Sequence, residues 1–204
     1  MSGRLVAALV LALAVIAGAI AVPLALGGDD ESGPGAYMGA AQGGPNDGQE
    51  PVPNDLSDVQ TFDLGAQHTT EDVDYPQTPP AGGEHDPIWL ECGAYDEPVR
   101  DENAVHALEH GTVWITYDAE QLSDDDVDEL ESVLPDEGIL SPYDGLPAPV
   151  VVTVWETQLQ LTGADDPRLE QFIDEYGDGG TSPEPMASCH GGVERFASEG
   201  TDSV

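Results

Sequence analysis

The sequence predicts a single small α+β domain, in which helices pack on a mixed or antiparallel β-sheet. Short β-rich segments, 112–117 and 149–155 above all, alternate with segments whose apolar residues have helical spacing. Gly and Pro residues mark the boundaries between these segments. The chain has 204 residues, of which 39% are hydrophobic, so one core can form once the two ends are set aside.

The N-terminal residues 1–26 are expected to form a transmembrane anchor. Residues 5–26 carry no charge, Arg4 precedes them and acidic residues follow, which predicts that the C-terminal domain lies outside the membrane. The alternative is a signal segment cleaved near residues 19–21, which would secrete the domain. Residues 27–59 are expected to be a flexible acidic linker, residues 60–195 the folded domain and residues 196–204 a disordered tail.

The first half of the domain combines a loop, a helix and a strand. Residues 75–87 are rich in Pro and Gly and carry His85 in an extended loop, which leads into a short buried segment. A helix is predicted over 102–110, because Asp101 and Asn103 suit its start and Gly111 suits the position after its end. The segment 112–117 then reads as a strand.

The second half adds two helices and the centre of the sheet. Ser123 with Asp126 predicts a capped helix over 123–134. The most apolar strand, 149–155, is expected at the sheet centre, and residues 158–162 alternate as a strand with one solvated face does. The remaining predictions are a short strand at 139–141 and a last helix at 166–176.

The charge of the chain excludes some classes of partner. It has 41 acidic residues against 4 basic ones, a net charge of −37, which would repel nucleic acid and anionic lipid. The carboxylates are scattered over the linker, the helices and the tail, and are not clustered at ligand spacing. We therefore interpret the charge as adaptation to a salty exterior, where screening shortens the repulsion between carboxylates.

The predicted helix over 102–110 carries the chemistry. His106 and His110 lie one helical turn apart, within reach of one metal ion, with Glu109 beside them. The sequence motif His-x-x-Glu-His is also that of inverted zincin proteases, in which the glutamate acts as base. Two ligands on one helix cannot complete a tetrahedral site, so we expect His85 to approach from its loop to within ~5 Å of one of them.

These residues support three hypotheses. The leading one is an extracytoplasmic metal-binding domain that holds one Zn or Cu ion through His85, His106 and His110, with Glu109 as a ligand or as a residue that orients one. The second is a binding or scaffold module whose histidines satisfy hydrogen bonds. The third is a metal-dependent hydrolase with Glu109 as base. The sequence leaves open whether the domain is an enzyme and which protein partner it has.

The two cysteines and the remaining histidines are assigned separately. Cys92 and Cys189 are an even pair in a chain placed outside the cytoplasm, which favours a disulfide. A copper site that combines Met186, Cys189 and His190 is the alternative. His68 and His190 are expected to be surface residues.

The order of motifs along the chain resembles that of a known bacterial family. The following run in sequence: Pro79-Pro80, Gly83, His85, Pro87, Trp89, Gly93, Tyr95, residues 105–111, Val113, Tyr117, Pro149, Trp155, Phe172, Tyr176 and Pro183-Glu184. Over about residues 60–195 the chain resembles the bacterial domain of unknown function 3105, whose Leu-Glu-His-Gly core falls at Leu108–Gly111. The resemblance implies a membrane-anchored or secreted domain in which His85, His106 and His110 matter, and it implies no reaction.

The acidic surface generates a prediction about salt. With a net charge of −37, self-repulsion should destabilise the folded domain at low ionic strength. The melting temperature should rise between about 0.1 M and 1 M salt, as the Debye length falls from ~10 to ~3 Å. A thermal denaturation series over that range tests this, and a flat or falling curve contradicts the adaptation to salt.

Overall fold

Six strands and three helices follow one another in residues 54–194, the part of the chain that the computed structural model describes. The helices are α1 (Asp101–Glu109), α2 (Asp124–Ser132) and α3 (Arg168–Tyr176). The strands are β1 (Gln60–Thr61), β2 (Gly93–Ala94), β3 (Val113–Tyr117), β4 (Gly138–Pro142), β5 (Val150–Val154) and β6 (Thr157–Leu161). No helix within 54–194 is long and apolar enough to cross a membrane. The anchor, most of the linker and the tail predicted above lie outside these residues.

The strands form one mixed sheet in the order β1-β6-β5-β3-β4-β2. Strands β3 and β4 are parallel and are joined through α2, while β5 pairs antiparallel with both β3 and β6. The prediction of a small α+β domain with a mixed sheet is therefore confirmed. Its central strands β3, β4 and β5 are buried at every position, which explains why most of their residues are apolar.

The two faces of the sheet carry separate cores. Val113 and Ile115 of β3 pack on one face with residues of α2 and α3, among them Leu130 and Phe172. Trp114, whose side chain points the opposite way, packs on the other face with residues of α1. Helix α1 is thus fixed against the sheet on the side away from α2 and α3.

Local signals set several element boundaries as predicted. Ser123 caps α2, and its hydroxyl and the Asp126 carboxylate form the reciprocal pair of hydrogen bonds of a capping box. Gly111, which follows the C-cap residue His110 of α1, has φ of 96°, a left-handed conformation that favours glycine. At the start of α1, however, Arg100 occupies the cap position and makes no side-chain cap bond. The side chain of Asn103 instead donates to the carbonyl of Ile88 at 2.5 Å.

The predicted solvated face of residues 158–162 is wrong at Gln158. Its side chain is buried, and its amide donates to the carbonyl of Pro79 at 3.0 Å and to the hydroxyl of Thr153 at 3.1 Å. The chain around Pro79 covers this face, so an alternating pattern here marks a buried amide that is hydrogen-bonded. The two-residue edge strands β1 and β2 were also not predicted, because pairs so short have no periodicity.

A buried ion pair anchors α3 to the end of β6. The Arg168 guanidinium donates to both carboxylate oxygens of Asp166, at 3.0 and 2.7 Å, and Asp166 also accepts from the backbone and side chain of Thr162. Burial opposes the charge, but these bonds outweigh it and hold the pKa of Asp166 below its ordinary value.

Removing one partner of this pair should destabilise the domain strongly. Asp166→Ala removes the buried countercharge of the Arg168 guanidinium and leaves it with the half-exposed Asp58 carboxylate at 3.5 Å, which costs roughly 3–5 kcal/mol of unfolding free energy. Asp165→Ala, at an exposed neighbouring carboxylate, is the matched control and should change it by no more than about 0.5 kcal/mol. Chemical denaturation of the two variants measures the difference, and equal losses would contradict the role given to the pair.

A second carboxyl should make stability depend on pH. Burial raises the pKa of Asp101, the first residue of α1, to about 6, although the Tyr143 hydroxyl donates to it. Because this pKa is higher in the folded than in the unfolded chain, the contribution of Asp101 to stability is greatest below about pH 4 and is lost as the pH rises through 6.

Neutralising Asp101 should remove that dependence. Asp101→Asn should raise the unfolding free energy by about 1–3 kcal/mol at pH 7.5 and leave it nearly unchanged at pH 4. Denaturation of this variant at both pH values, beside the exposed control Asp144→Asn, is the measurement. Equal effects of Asp101→Asn at the two pH values would contradict the assignment.

Candidate metal centre

Helix α1 carries three of the site residues into a buried position. Every residue from Glu102 to Glu109 is buried, including His106 and Glu109, each 5% exposed, and His110 follows at 9%. The apolar residues Val105 and Leu108 pack on the sheet. The imidazoles are therefore held by a helix that has little freedom to shift.

His85 reaches α1 because the backbone around it pairs with a distant stretch. The amide of His85 donates to the carbonyl of Gln67 at 3.0 Å, and the amide of Thr69 donates to the carbonyl of His85 at 2.7 Å. His85 is completely buried, and its ring centroid lies 5.0 Å from that of His106. The predicted approach of His85 to within ~5 Å of a helix histidine is confirmed.

The orientation of each buried imidazole is fixed by a backbone carbonyl. The Nδ1 atoms of His85, His106 and His110 lie 2.8, 2.6 and 3.0 Å from the carbonyl oxygens of Gly83, Asp86 and Ser188. A carbonyl can only accept, so each Nδ1 must carry a hydrogen. In the neutral imidazole this leaves a lone pair on Nε2.

The Nε2 atoms converge on one another and on one carboxylate oxygen. Oε2 of Glu109 lies 3.1 Å from Nε2 of His85, 3.5 Å from that of His68 and 3.9 Å from that of His106. Nε2 of His106 and Nε2 of His110 are 3.1 Å apart. When the imidazoles are neutral, their Nε2 lone pairs therefore face other hydrogen-bond acceptors. A cation between these atoms would remove the repulsion between them.

The spacing of these atoms suits a metal ion. Ligands about 2.0–2.1 Å from a tetrahedral zinc lie about 3.3 Å from one another. Oε2 of Glu109 is close to this distance from Nε2 of His85 and His68, at 3.1 and 3.5 Å. One nitrogen or oxygen from each of His68, His85, His106 and Glu109 fall within 4.8 Å of one another, and we call these residues the four-ligand group. Burial lowers the pKa of His106, which favours the neutral, metal-binding form.

His110 lies beside this group. It is one of the predicted ligands, but its Nε2 contacts that of His106, and its other close partner is the Glu184 carboxylate at 3.8 Å. The ring of Trp89 packs against both imidazoles, with centroids 5.7 Å from His106 and 5.0 Å from His110. His110 therefore offers an additional nitrogen on the His106 side of the group.

One family model matches the chain. The family, described as Protein of unknown function (DUF3105), aligns with residues 67–191, more than half of the sequence. The chain belongs to this family. The matched span begins next to His68 and ends just beyond Cys189, so this DUF3105 domain contains the whole four-ligand group and both cysteines. No curated protein and no solved structure matches.

The structure changes the roles expected of two residues. His68 is exposed as predicted, with 49% of its side chain accessible, yet it also belongs to the four-ligand group and stacks on His106 with ring centroids 4.9 Å apart. Only the backbone pairing of residues 67–69 with His85 brings it there, and no local pattern encodes that pairing. Glu109, expected either as a ligand or as a residue that orients one, has its Oε2 among three imidazoles, the position of a ligand.

Cys92 and Cys189 form the predicted disulfide, with Cα atoms 5.2 Å apart. The alternative copper site on Met186, Cys189 and His190 is therefore wrong, because the bonded Cys189 offers no thiolate. Met186 is 95% exposed, and His190 pairs with Glu91 at 3.1 Å. His190 thus lies at the surface, as expected.

Proposed function

We propose that this DUF3105 domain binds one Zn or Cu ion. His85, His106 and Glu109 supply the buried ligands and His68 closes the exposed side. His110 provides a further nitrogen next to His106. Imidazole nitrogens with one carboxylate oxygen suit both metals.

One observation carries the proposal. All three buried imidazoles donate Nδ1–H to backbone carbonyls, so the Nε2 lone pairs of His85 and His106 face Glu109 and that of His110 faces Nε2 of His106. Histidines that ligate metals almost always donate their other ring N–H in this way, since the bond fixes the tautomer and the ring orientation. In a group of histidines that only satisfies hydrogen bonds, Nε2 lone pairs that face other acceptors would be left without donors.

The geometry favours this function over the two alternatives. In a hydrolase of the inverted zincin type, Glu109 would face an open cleft and activate water. Here its Oε2 is enclosed by three imidazoles, a position that suits a ligand. A scaffold module would need protons in place of the metal ion, and burial of His106 opposes its protonation.

The proposed setting is the outer side of a membrane, with residues 1–26 as a single-pass anchor or a cleaved signal segment. The uncharged run of residues 5–26 supports export. The disulfide supports an oxidising compartment.

Metal content tests the proposal directly. The purified domain, dialysed against Zn²⁺ or Cu²⁺ and then freed of excess ion, should retain about one ion per chain by elemental analysis. His106→Ala and Glu109→Ala should lower the affinity by at least ~100-fold, a larger loss than removal of an outer partner typically gives. His68→Ala should cost about 10-fold, because its half-exposed ring exchanges easily with water.

The matched control is His190→Ala. It removes a surface imidazole that takes no part in the four-ligand group, and it should leave metal content and affinity unchanged. Absence of bound ion from the unaltered domain would support the scaffold alternative. Equal losses in His106→Ala and His190→Ala would mean that binding is adventitious.

A further inference from the structure

Residues 182–193 lie over the end of α1 and hold the metal centre from outside; we call them the C-terminal strap. The amide of Glu184 donates to the carbonyl of Glu109 at 3.0 Å. The carbonyl of Ser188 is the acceptor that fixes Nδ1 of His110. The strap therefore determines the direction of the His110 lone pair.

The strap also positions the indole that packs on the site. Trp89 Nε1 donates to the carbonyl of Cys189 at 3.1 Å, and its ring lies against His106 and His110. The contact is close, since a Cβ atom added at Gly192 would lie 2.6 Å from the Trp89 ring. Two consecutive carbonyls thus contact different side chains of the site. That of Ser188 accepts from His110, and that of Cys189 accepts from Trp89.

Two side-chain attachments hold Ser188 and Cys189 of the strap. The disulfide joins Cys189 to Cys92, next to the Trp89 segment. The Glu137 carboxylate accepts from the Ser188 hydroxyl at 2.7 Å and from the Cys189 amide at 2.9 Å. The disulfide acts at Cys189, and the Glu137 carboxylate acts at both Ser188 and Cys189, the residues whose carbonyls orient the site.

We propose that the oxidation state of Cys92 and Cys189 sets the metal affinity of the site, a regulation that rests on the metal-binding function proposed above. With the disulfide closed, the strap holds His110 and Trp89 in place. With the disulfide open, the Ser188 and Cys189 carbonyls lose their covalent tether. His110 can then change tautomer or turn away from the ion.

The chemistry needs an external dithiol as reductant. Cys189 is fully buried and Cys92 is half-buried, so the attacking thiolate bonds to Sγ of Cys92, and the Cys92–Cys189 bond breaks. Cys189 leaves as a thiolate and takes a proton. The second thiol of the reductant then displaces Cys92, which also takes a proton, and the reductant becomes a disulfide. Oε2 of Glu137, 3.3 Å from Sγ of Cys189, accepts the new thiol hydrogen.

The experiment compares the domain with and without its disulfide. Cys92→Ala/Cys189→Ala lacks the bond and has no thiols that could bind metal themselves. Its Zn²⁺ affinity, measured by competition with a chelator, should be about 10–100-fold weaker than that of the oxidised domain, the usual cost of losing an outer partner of a ligand. In the metal-free proteins, NMR of the imidazole nitrogens should show the Nδ1–H form of His110 only with the disulfide closed.

A second variant leaves the disulfide intact and covers the case in which the double variant does not fold. Glu137→Ala removes the acceptor of Ser188 and Cys189 and should weaken Zn²⁺ binding in the same direction. Asp136→Ala, the exposed neighbouring carboxylate, is the matched control and should have no effect. In a His110→Ala background, opening the disulfide should weaken binding by less than in the unaltered domain, since that route no longer exists.

The outcomes separate the two proposals. An oxidised domain that binds no Zn²⁺ overturns the metal-binding function and this inference with it. An oxidised domain that binds Zn²⁺ as tightly as a folded Cys92→Ala/Cys189→Ala variant overturns the regulation and leaves the function standing. If that variant does not fold, equal affinities of the unaltered, Glu137→Ala and Asp136→Ala proteins overturn the regulation.

Discussion

Three hydrogen bonds, from buried imidazoles to the carbonyls of Gly83, Asp86 and Ser188, are the constraint on which the candidate metal centre depends. They fix the tautomers, so that nitrogen lone pairs and not N–H groups face Glu109 from His85 and His106, and face His106 from His110. The three carbonyls belong to stretches that α1 and the sheet hold in place. The fold thus holds each of these carbonyl oxygens at the Nδ1 side of an imidazole ring.

Much of the fold could be predicted because its signals are local. The capping box at Ser123, the glycine after α1 and the three consecutive valines of β5 each encode an element through neighbouring residues. The same reasoning failed where a distant segment decides the environment. Gln158 reads as solvated until the chain near Pro79 covers it.

The residues of the candidate site likewise divide into those with a local sequence signal and those placed by distant segments. His106, Glu109 and His110 follow from helical spacing, and His85 follows from the need for a further ligand. His68 could not be found this way, because it reaches the group only through backbone pairing between residues 67–69 and His85. The position of Glu109 among three imidazoles likewise depends on how separate segments pack, which helical geometry alone does not give.

The site draws on widely separated parts of the chain, from His68 to the Ser188 carbonyl. Fragments of the domain therefore lack the complete site, and a chain still emerging during synthesis cannot complete it until residue 188 is available. Bringing such distant segments together costs loop-closure entropy before any ligand is in place. An ion bound as proposed would offset part of that cost, since a ligand at 100 times its Kd stabilises the folded state by about 2.7 kcal/mol. Under the metal-binding function proposed above, metal supply would help determine how much of this protein survives proteolysis, separate from whatever the ion does once bound.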